Sequence, residues 1–329
     1  MADVRNFGAA GDGQQDDTEA IRHAVHDGDA LLEFSPGVYR LTETIEIDLA
    51  QTGFRSLVGT HGTARIIMAG PGPAFRIVGT HEGTALPSSV KPQVWDRERM
   101  PAIDGLVIEG DHPEADGIEL VRTMMATLSR VSVRNVRNGI TLRERNRNFL
   151  LTSSHIYDNT GSGLFFDRCN LHQAIVSANE ISYSRQAGIR SLGGELQNVK
   201  ITGNDIEYNH DVEASGAAEI WFDCDDGVAS EITIASNTIQ AIPSPGGTNV
   251  RITGQGTAPN CSARLITISG NVLGSQTTNL EILRAERVAV TGNTIYDGHA
   301  RAILCEDSAL ITIDGNTFGW AFGEQRKTS

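Results

Sequence analysis

Aromatic residues, cysteine and positive charge are all scarce in this chain. Phe, Trp and Tyr make up 5% of its 329 residues. That argues against a core built on large rings and suits narrow layers of Ile, Val and Leu. The four cysteines, Cys169, Cys224, Cys261 and Cys305, form no CxxC pair and have no His at metal spacing. A zinc site is therefore not expected, and small buried or half-buried thiols are. Lys and Arg number 27 against 41 Asp and Glu, for a formal net charge of −14. Such a chain repels phosphate backbones, so no nucleic-acid partner is expected. No apolar run is long enough to span a membrane, so no membrane partner is expected either. The opening MADVRNFGAAGDG has no basic segment followed by an apolar stretch. The expected setting is cytoplasmic, virion-associated, or secreted with the signal removed.

What the chain has in plenty is glycine, at 35 residues, and a recurring phrase. A strand is followed by a small residue, then Asn, then an apolar residue two positions on. It reads VSANEI, ITGNDI, IASNTI, ISGNVL, VTGNTI and IDGNTF, with Asn179, Asn204, Asn237, Asn271, Asn293 and Asn316. The spacings are 25, 33, 34, 22 and 23 residues. A period in the low twenties with longer members marks a solenoid. The V-x-I and I-x-I alternation is the strand period, and the units lack leucine-rich or helical spacing. The Asn residues read as scaffold: they tolerate the left-handed bend between strands, and their amides can bond to the Asn above and below.

A second phrase follows each Asn strand. It starts at Gly117, Gly139, Gly163, Gly188, Glu219, Asn249 and Asn279, which gives about nine coils after residue 100. Residues 1–30 differ. The segment DDTEAIRHAV has an Asp N-cap and helical apolar spacing, and is read as a helix closing the end of the solenoid. The expected fold is all-β: a right-handed single-stranded parallel β-helix over 31–329 with a short N-terminal capping helix. A long loop at 80–101 reads as either a functional loop or a lateral packing flap.

VRNFGAAGDGQQDDTEAIRHAV, residues 4–25, resembles the opening of the pectate-lyase-like superfamily, and SPGVYR at 35–40 fits the same families. That superfamily includes polysaccharide hydrolases and lyases, phage tailspikes and mannuronan epimerases. The resemblance implies carbohydrate chemistry on the long side of the helix, often in a homotrimer. The polygalacturonase Asn-Thr-Asp, Gly-Asp-Asp and His-Gly set is missing. So is the epimerase Asp-Pro-His-Glu segment, and no Asp cluster with a nearby Arg stands out as in calcium-dependent pectate lyases. No catalytic residue is carried over.

Candidate site residues come instead from the register. Side chains alternate in and out along a strand, so stacking the second phrase lines up two outward columns. One runs Glu119, Thr141, Phe165, Arg190, Trp221, Arg251, Glu281. The other runs Val121, Arg143, Asp167, Leu192, Asp223, Thr253, Leu283. Asp167 and Asp223 are the expected acid and base, two coils or about 9–10 Å apart, near the separation of inverting glycosidases. Glu207 is the reserve carboxylate. Trp221, Phe165 and Tyr208 are the expected sugar platforms. Arg190 and Arg143 would orient substrate, with Tyr183 and His172 as further contacts. No metal is expected to be required, though DCDDG could hold Ca²⁺ through Asp223, Asp225 and Asp226.

The expected function is a carbohydrate-active enzyme, a glycoside hydrolase or transglycosylase. Two alternatives stand beside it. One is a lyase with Tyr183, Tyr208 or His210 as base and Arg190 or Arg251 neutralising a uronate. The other is a non-enzymatic, tailspike-like β-helix whose face packs a homotrimer.

Overall fold

The computed structural model describes residues 1–320; the part of the expected repeat region from 321 to 329 lies outside the described residues. Each coil has three strand segments. A front segment such as Ala187–Leu192 turns a corner into a back segment such as Glu195–Thr202, and a short segment such as Asp205–Glu207 follows. Front and back segments belong to one 20-stranded sheet, and the short segments make a separate 12-stranded sheet. The pairing between coils is parallel throughout. Ile140–Thr152 and Ser162–Ser177 run through the front-to-back corner as continuous strands.

The interior is one continuous cluster of small aliphatic layers. Along the front column, Ile140, Leu164, Ile189, Ile220 and Val250 pair in succession and are all buried. Burying each such side chain contributes roughly 1.5–3 kcal/mol, so the stacking of coils drives folding. The scarcity of aromatics is thus a property of the layer width.

The turn from back to short segment carries the Asn ladder. Asn237 Oδ1 accepts from the Asn204 backbone N–H at 2.9 Å and from its amide at 3.0 Å. The same pair of bonds links Asn179 to Asn204, Asn237 to Asn271, Asn271 to Asn293 and Asn293 to Asn316. One detail of the expectation is corrected. The left-handed residue is not the Asn but the one before it: Ala178, Gly203, Ser236, Gly270, Gly292 and Gly315 have φ between 56° and 66°. The Asn is selected for its buried amide and the small residue for the bend.

The first residues add rungs of their own. Ala2–Asp3 pairs with Leu31–Phe34, and Asp12–Asp16 pairs with Gly37–Leu41. Helix Thr18–Asp27 covers this end with Ile21, Ala24 and Val25 buried. Asp17 holds the N-cap position, but its carboxylate accepts from the Ala10 and Gly11 N–H groups. Asp16 takes the Thr18 N–H instead. The 80–101 loop packs laterally. Val90 and Val94 form a small separate cluster with Met124, Trp95 and Met125. Arg147, at the corner, donates to the Thr84 and Ala85 carbonyls at 2.9 and 2.8 Å.

Asn237→Ala removes the acceptor for two Asn204 donors in a dry site. It is expected to destabilise the fold by about 2–4 kcal/mol. Asn316→Ala, in the last described coil and partly exposed, is expected to cost less. Denaturant unfolding of both variants, followed by far-ultraviolet circular dichroism, checks the order.

Candidate functional site

The outward columns of the front face stand in the register expected. Thr141, Phe165, Arg190, Trp221, Arg251 and Glu281 are successive partners, as are Arg143, Asp167, Leu192, Asp223 and Thr253. Parallel strands in register place like positions one above another about 4.8 Å apart. The Arg190 guanidinium therefore lies 5.7 Å from the Phe165 ring and 4.6 Å from the Trp221 ring, and Arg251 lies 5.1 Å from the other side of the indole. This corrects the role of the aromatics. Both faces of Trp221 are covered by guanidinium groups, so its ring is a spacer in a cation–π stack and not an open sugar platform. Phe165 and Trp221 are half-buried and not exposed.

The charges around the stack are mostly paired. Arg143 bridges Glu119 at 3.2 Å and Asp167 at 3.0 Å, and Arg168 adds a contact to Asp167 at 3.4 Å. Arg251 pairs with Glu281 and donates to the Gly216 and Gly246 carbonyls. The inserted turns 209–217 and 243–247 therefore wall one end of the face. Among the described residues Arg190 has no ion-pair partner within 4.0 Å, and its guanidinium donates to Gln186 at 3.2 Å. Asp223 also stands outside the ion pairs. Burial raises its pKa above the ordinary carboxylate value, and Asp225 adds to this. Arg190 and Arg251 pull the other way. Half-buried Leu192 lies between the two aspartates as an apolar floor.

The remaining expected contacts are elsewhere. Glu207 is on the short sheet, accepting from Gln240 at 2.9 Å, and is not in reserve behind Asp167 and Asp223. Tyr183 and Tyr208 lie at the ends of short segments, stacked on each other with centroids 5.5 Å apart and planes 5° apart. His210 leads into the inserted turn. His172 lies past the corner at Arg168, paired in register with Arg147 and Gln197, and faces away from the front columns. The bases of the lyase reading, Tyr183, Tyr208 and His210, lie in the turns that lead from the short segments into the front segments carrying Arg190 and Arg251. Asp226 turns toward Arg168 and Gly193, and among the described residues no group of three His, Cys, Asp or Glu is arranged to hold a metal ion. Cys169, Cys224 and Cys261 are buried and Cys305 is exposed.

One functional group was missed. Glu219 replaces the glycine of earlier coils and points inward, fully buried. Its carboxyl accepts from the Asn209 N–H at 2.8 Å and from the Asn209 amide at 2.6 Å. Gly188 one coil before has no room for a Cβ, which would lie 2.7 Å from that amide. The break in the glycine column was the available signal. Burial pushes the Glu219 pKa up to about 8.

These elements define a right-handed parallel β-helix of the pectate-lyase-like fold with a charged, aromatic-laced front face. A family described as "Right handed beta helix region" matches residues 102–239. No curated protein matches the sequence. Among solved structures, the Dettilon tailspike protein is similar at 17% identity and a TM-score of 0.69, over 97% of this chain and 62% of that one. The tailspike of E. coli bacteriophage HK620, solved as a mutant with a pentasaccharide, gives 16%, 0.61, 97% and 61%. The A-module of a mannuronan C-5 epimerase from Azotobacter vinelandii gives 16%, 0.53, 97% and 99%. The chain thus spans about 62% of the first tailspike's length. The fold is one that carbohydrate-active enzymes and tailspikes share.

Glu219 makes stability depend on pH. Its folded pKa, about 8, lies above the ordinary 4.5, so folding favours the protonated form. The contribution is complete below about pH 4.5, shrinks as pH rises, and is lost above about pH 8. Thermal melts across this window are expected to show a decline worth a few kcal/mol. Glu219→Gln is expected to flatten it, at the cost of one hydrogen bond to Asn209.

Proposed function

We propose that the front face cleaves glycosidic bonds of a polysaccharide or oligosaccharide, with Asp223 as general acid and Asp167 as general base. The observation that carries this reading is the unequal treatment of two aspartates in one column. Asp223 is unpaired and holds its proton to higher pH than an ordinary carboxyl. Asp167 is ion-paired to Arg143 and Arg168. Two coils separate them by about 9–10 Å, which leaves space for a sugar ring and a water. Asp223 would give its proton to the glycosidic oxygen as the C–O bond breaks. Asp167 would take a proton from the water that adds to the anomeric carbon from the opposite side. Arg190, free of an acidic partner, would orient the substrate. The tailspike solved with a pentasaccharide supports a saccharide ligand for this fold. The resemblance of residues 4–25 to the pectate-lyase-like superfamily implies a homotrimer, for which sedimentation at three times the chain mass is expected; a monomer would count against it.

The test is a panel of polysaccharides read by mass spectrometry and reducing-end release. Asp223→Asn and Asp167→Asn are each expected to lower kcat at least about 100-fold while binding persists. Full activity in Asp223→Asn sinks the assignment, and an ultraviolet-absorbing unsaturated product replaces hydrolysis by elimination. Activity is expected to fall as pH rises through the raised pKa of Asp223. Asp225→Asn removes a charge that raises it, so the alkaline limb is expected to move to lower pH.

A further inference from the structure

The short sheet carries a second site, separate from the front face. One outward row of this sheet runs Tyr157, Ser182, Glu207, Gln240, Gly274, Tyr296, coil by coil. Two members are small. At Gly274 the gap is filled from within, since a Cβ there would lie 2.1 Å from the Tyr296 ring. Tyr296 leans across and donates from its hydroxyl to Gln240 at 2.9 Å. Beside Ser182 lies a groove of about 580 Å³ lined by Ser132, His155, Tyr157, Asp158, Glu180 and Tyr183. Ser182 lines its base, nearly covered by its neighbours at 1% exposed, and its hydroxyl has no hydrogen-bond partner among the described residues. A buried hydroxyl without a partner costs free energy unless something supplies the bond.

The wall of the groove is built against backbone preference. Tyr183 and Tyr208 have φ of 54° and 56°. Other coils place Asp158, Ser275 and Asp297 at this turn, also at positive φ. Asp in particular adopts that conformation at low cost, and a bulky ring does not. The two rings stack on each other, and Tyr183 stays 51% exposed, with one face open toward the groove. Unlike Trp221, it is not sandwiched by guanidinium groups.

We propose that this groove binds a neutral oligosaccharide. The C–H face of a sugar ring lies on Tyr183. Its hydroxyls donate to Asp158 and Glu180 and bond to the vacant Ser182 hydroxyl. His155 is tied to Glu180 at 2.8 Å through Nδ1, which leaves Nε2 for another sugar hydroxyl. Asp158, Glu180, Asp205 and Glu207 outnumber the Arg134 guanidinium, which lies 5.9 Å from the Tyr157 ring and is already paired with Glu109, so uronate and sulfated chains are disfavoured. The chemistry is the reverse of the arginine-laced front face, and the two surfaces lie on different sheets.

Isothermal titration of the full chain with cello-, malto-, xylo- and chito-pentaose tests this, with a galacturonate pentamer as the charged control. At least one neutral sugar is expected to bind. Tyr183→Ala and Ser182→Leu are each expected to weaken that binding about tenfold or more. Tyr183 is exposed, so its truncation stays informative if Ser182→Leu fails to fold. Asp223→Asn is expected to leave this binding unchanged, and Tyr183→Ala to leave front-face cleavage unchanged, so the two readings fail separately. The proposal is overturned if no neutral sugar binds, if only the galacturonate pentamer binds, or if Tyr183→Ala has no effect.

Discussion

Parallel pairing between coils is the constraint on which everything else rests. It fixes the rise at about 4.8 Å per coil and forbids a slip of one residue, because a slip would turn the aliphatic columns out into water. Side-chain geometry is inherited from that spacing. Arg190 sits 4.6 Å from the Trp221 ring and Tyr183 sits 5.5 Å from Tyr208 because their backbones are one rung apart. The Asn ladder works at the same repeat, each amide satisfying donors of the coil before it. Stacking contacts that would need precise folding elsewhere need only the right residue in the right row here.

That is why the coils could be read from the sequence. The Asn phrases and the strand alternation give the register, and the register gives both front columns residue by residue. The rest was not legible, for definite reasons. Register says which residues share a column but not which sheet a turn residue joins, so Tyr183, Tyr208 and Glu207 were placed beside Trp221 when a corner separates them. A corner such as Arg168, with φ of 45°, leaves little trace in composition. An outward position is also not an open one. Phe165 and Trp221 point outward, yet guanidinium groups occupy their faces.

The turn from short to front segment shows how the solenoid accommodates polarity. Gly117, Gly139, Gly163 and Gly188 each lie against a β-branched side chain of the short column, with no room for a Cβ. After the inserted turn the column changes to Glu219, Asn249 and Asn279, and the buried space fills with hydrogen bonds. Asn249 donates to Asn279 at 2.7 Å, and Asn279 donates to the Tyr296 carbonyl at 2.9 Å. A buried polar network is tolerable only when its members are satisfied. Here Asn209 supplies the donors for Glu219, the Gly274 and Tyr296 carbonyls take the Asn249 and Asn279 amides, and Asn249 Oδ1 is left without a partner among the described residues, so the same repeat that excludes a side chain in one coil can seat a carboxyl in another.

The two outer faces use one repeat to opposite ends. On the front face each ring is capped by the guanidinium of a neighbouring coil, which neutralises part of the arginine charge and closes the aromatic surface. In the central coils Arg190 and Asp223 stand outside the ion pairs formed among the described residues, so polar recognition is concentrated at two groups in adjacent coils. On the short-sheet side the guanidinium contact falls on Tyr157, from Arg134, while Tyr183 and Tyr208 stack on each other beside the small residue at 182. Holding two tyrosines at positive φ opposes their conformational preference, and strain of that kind persists only where the surrounding structure imposes it. The strands on either side impose it here, through the Tyr183 N–H bonded to the Glu207 carbonyl and the Tyr208 N–H bonded to the Gln240 carbonyl. The open aromatic face is therefore held by backbone pairing. It does not depend on any contact that a bound sugar would have to displace.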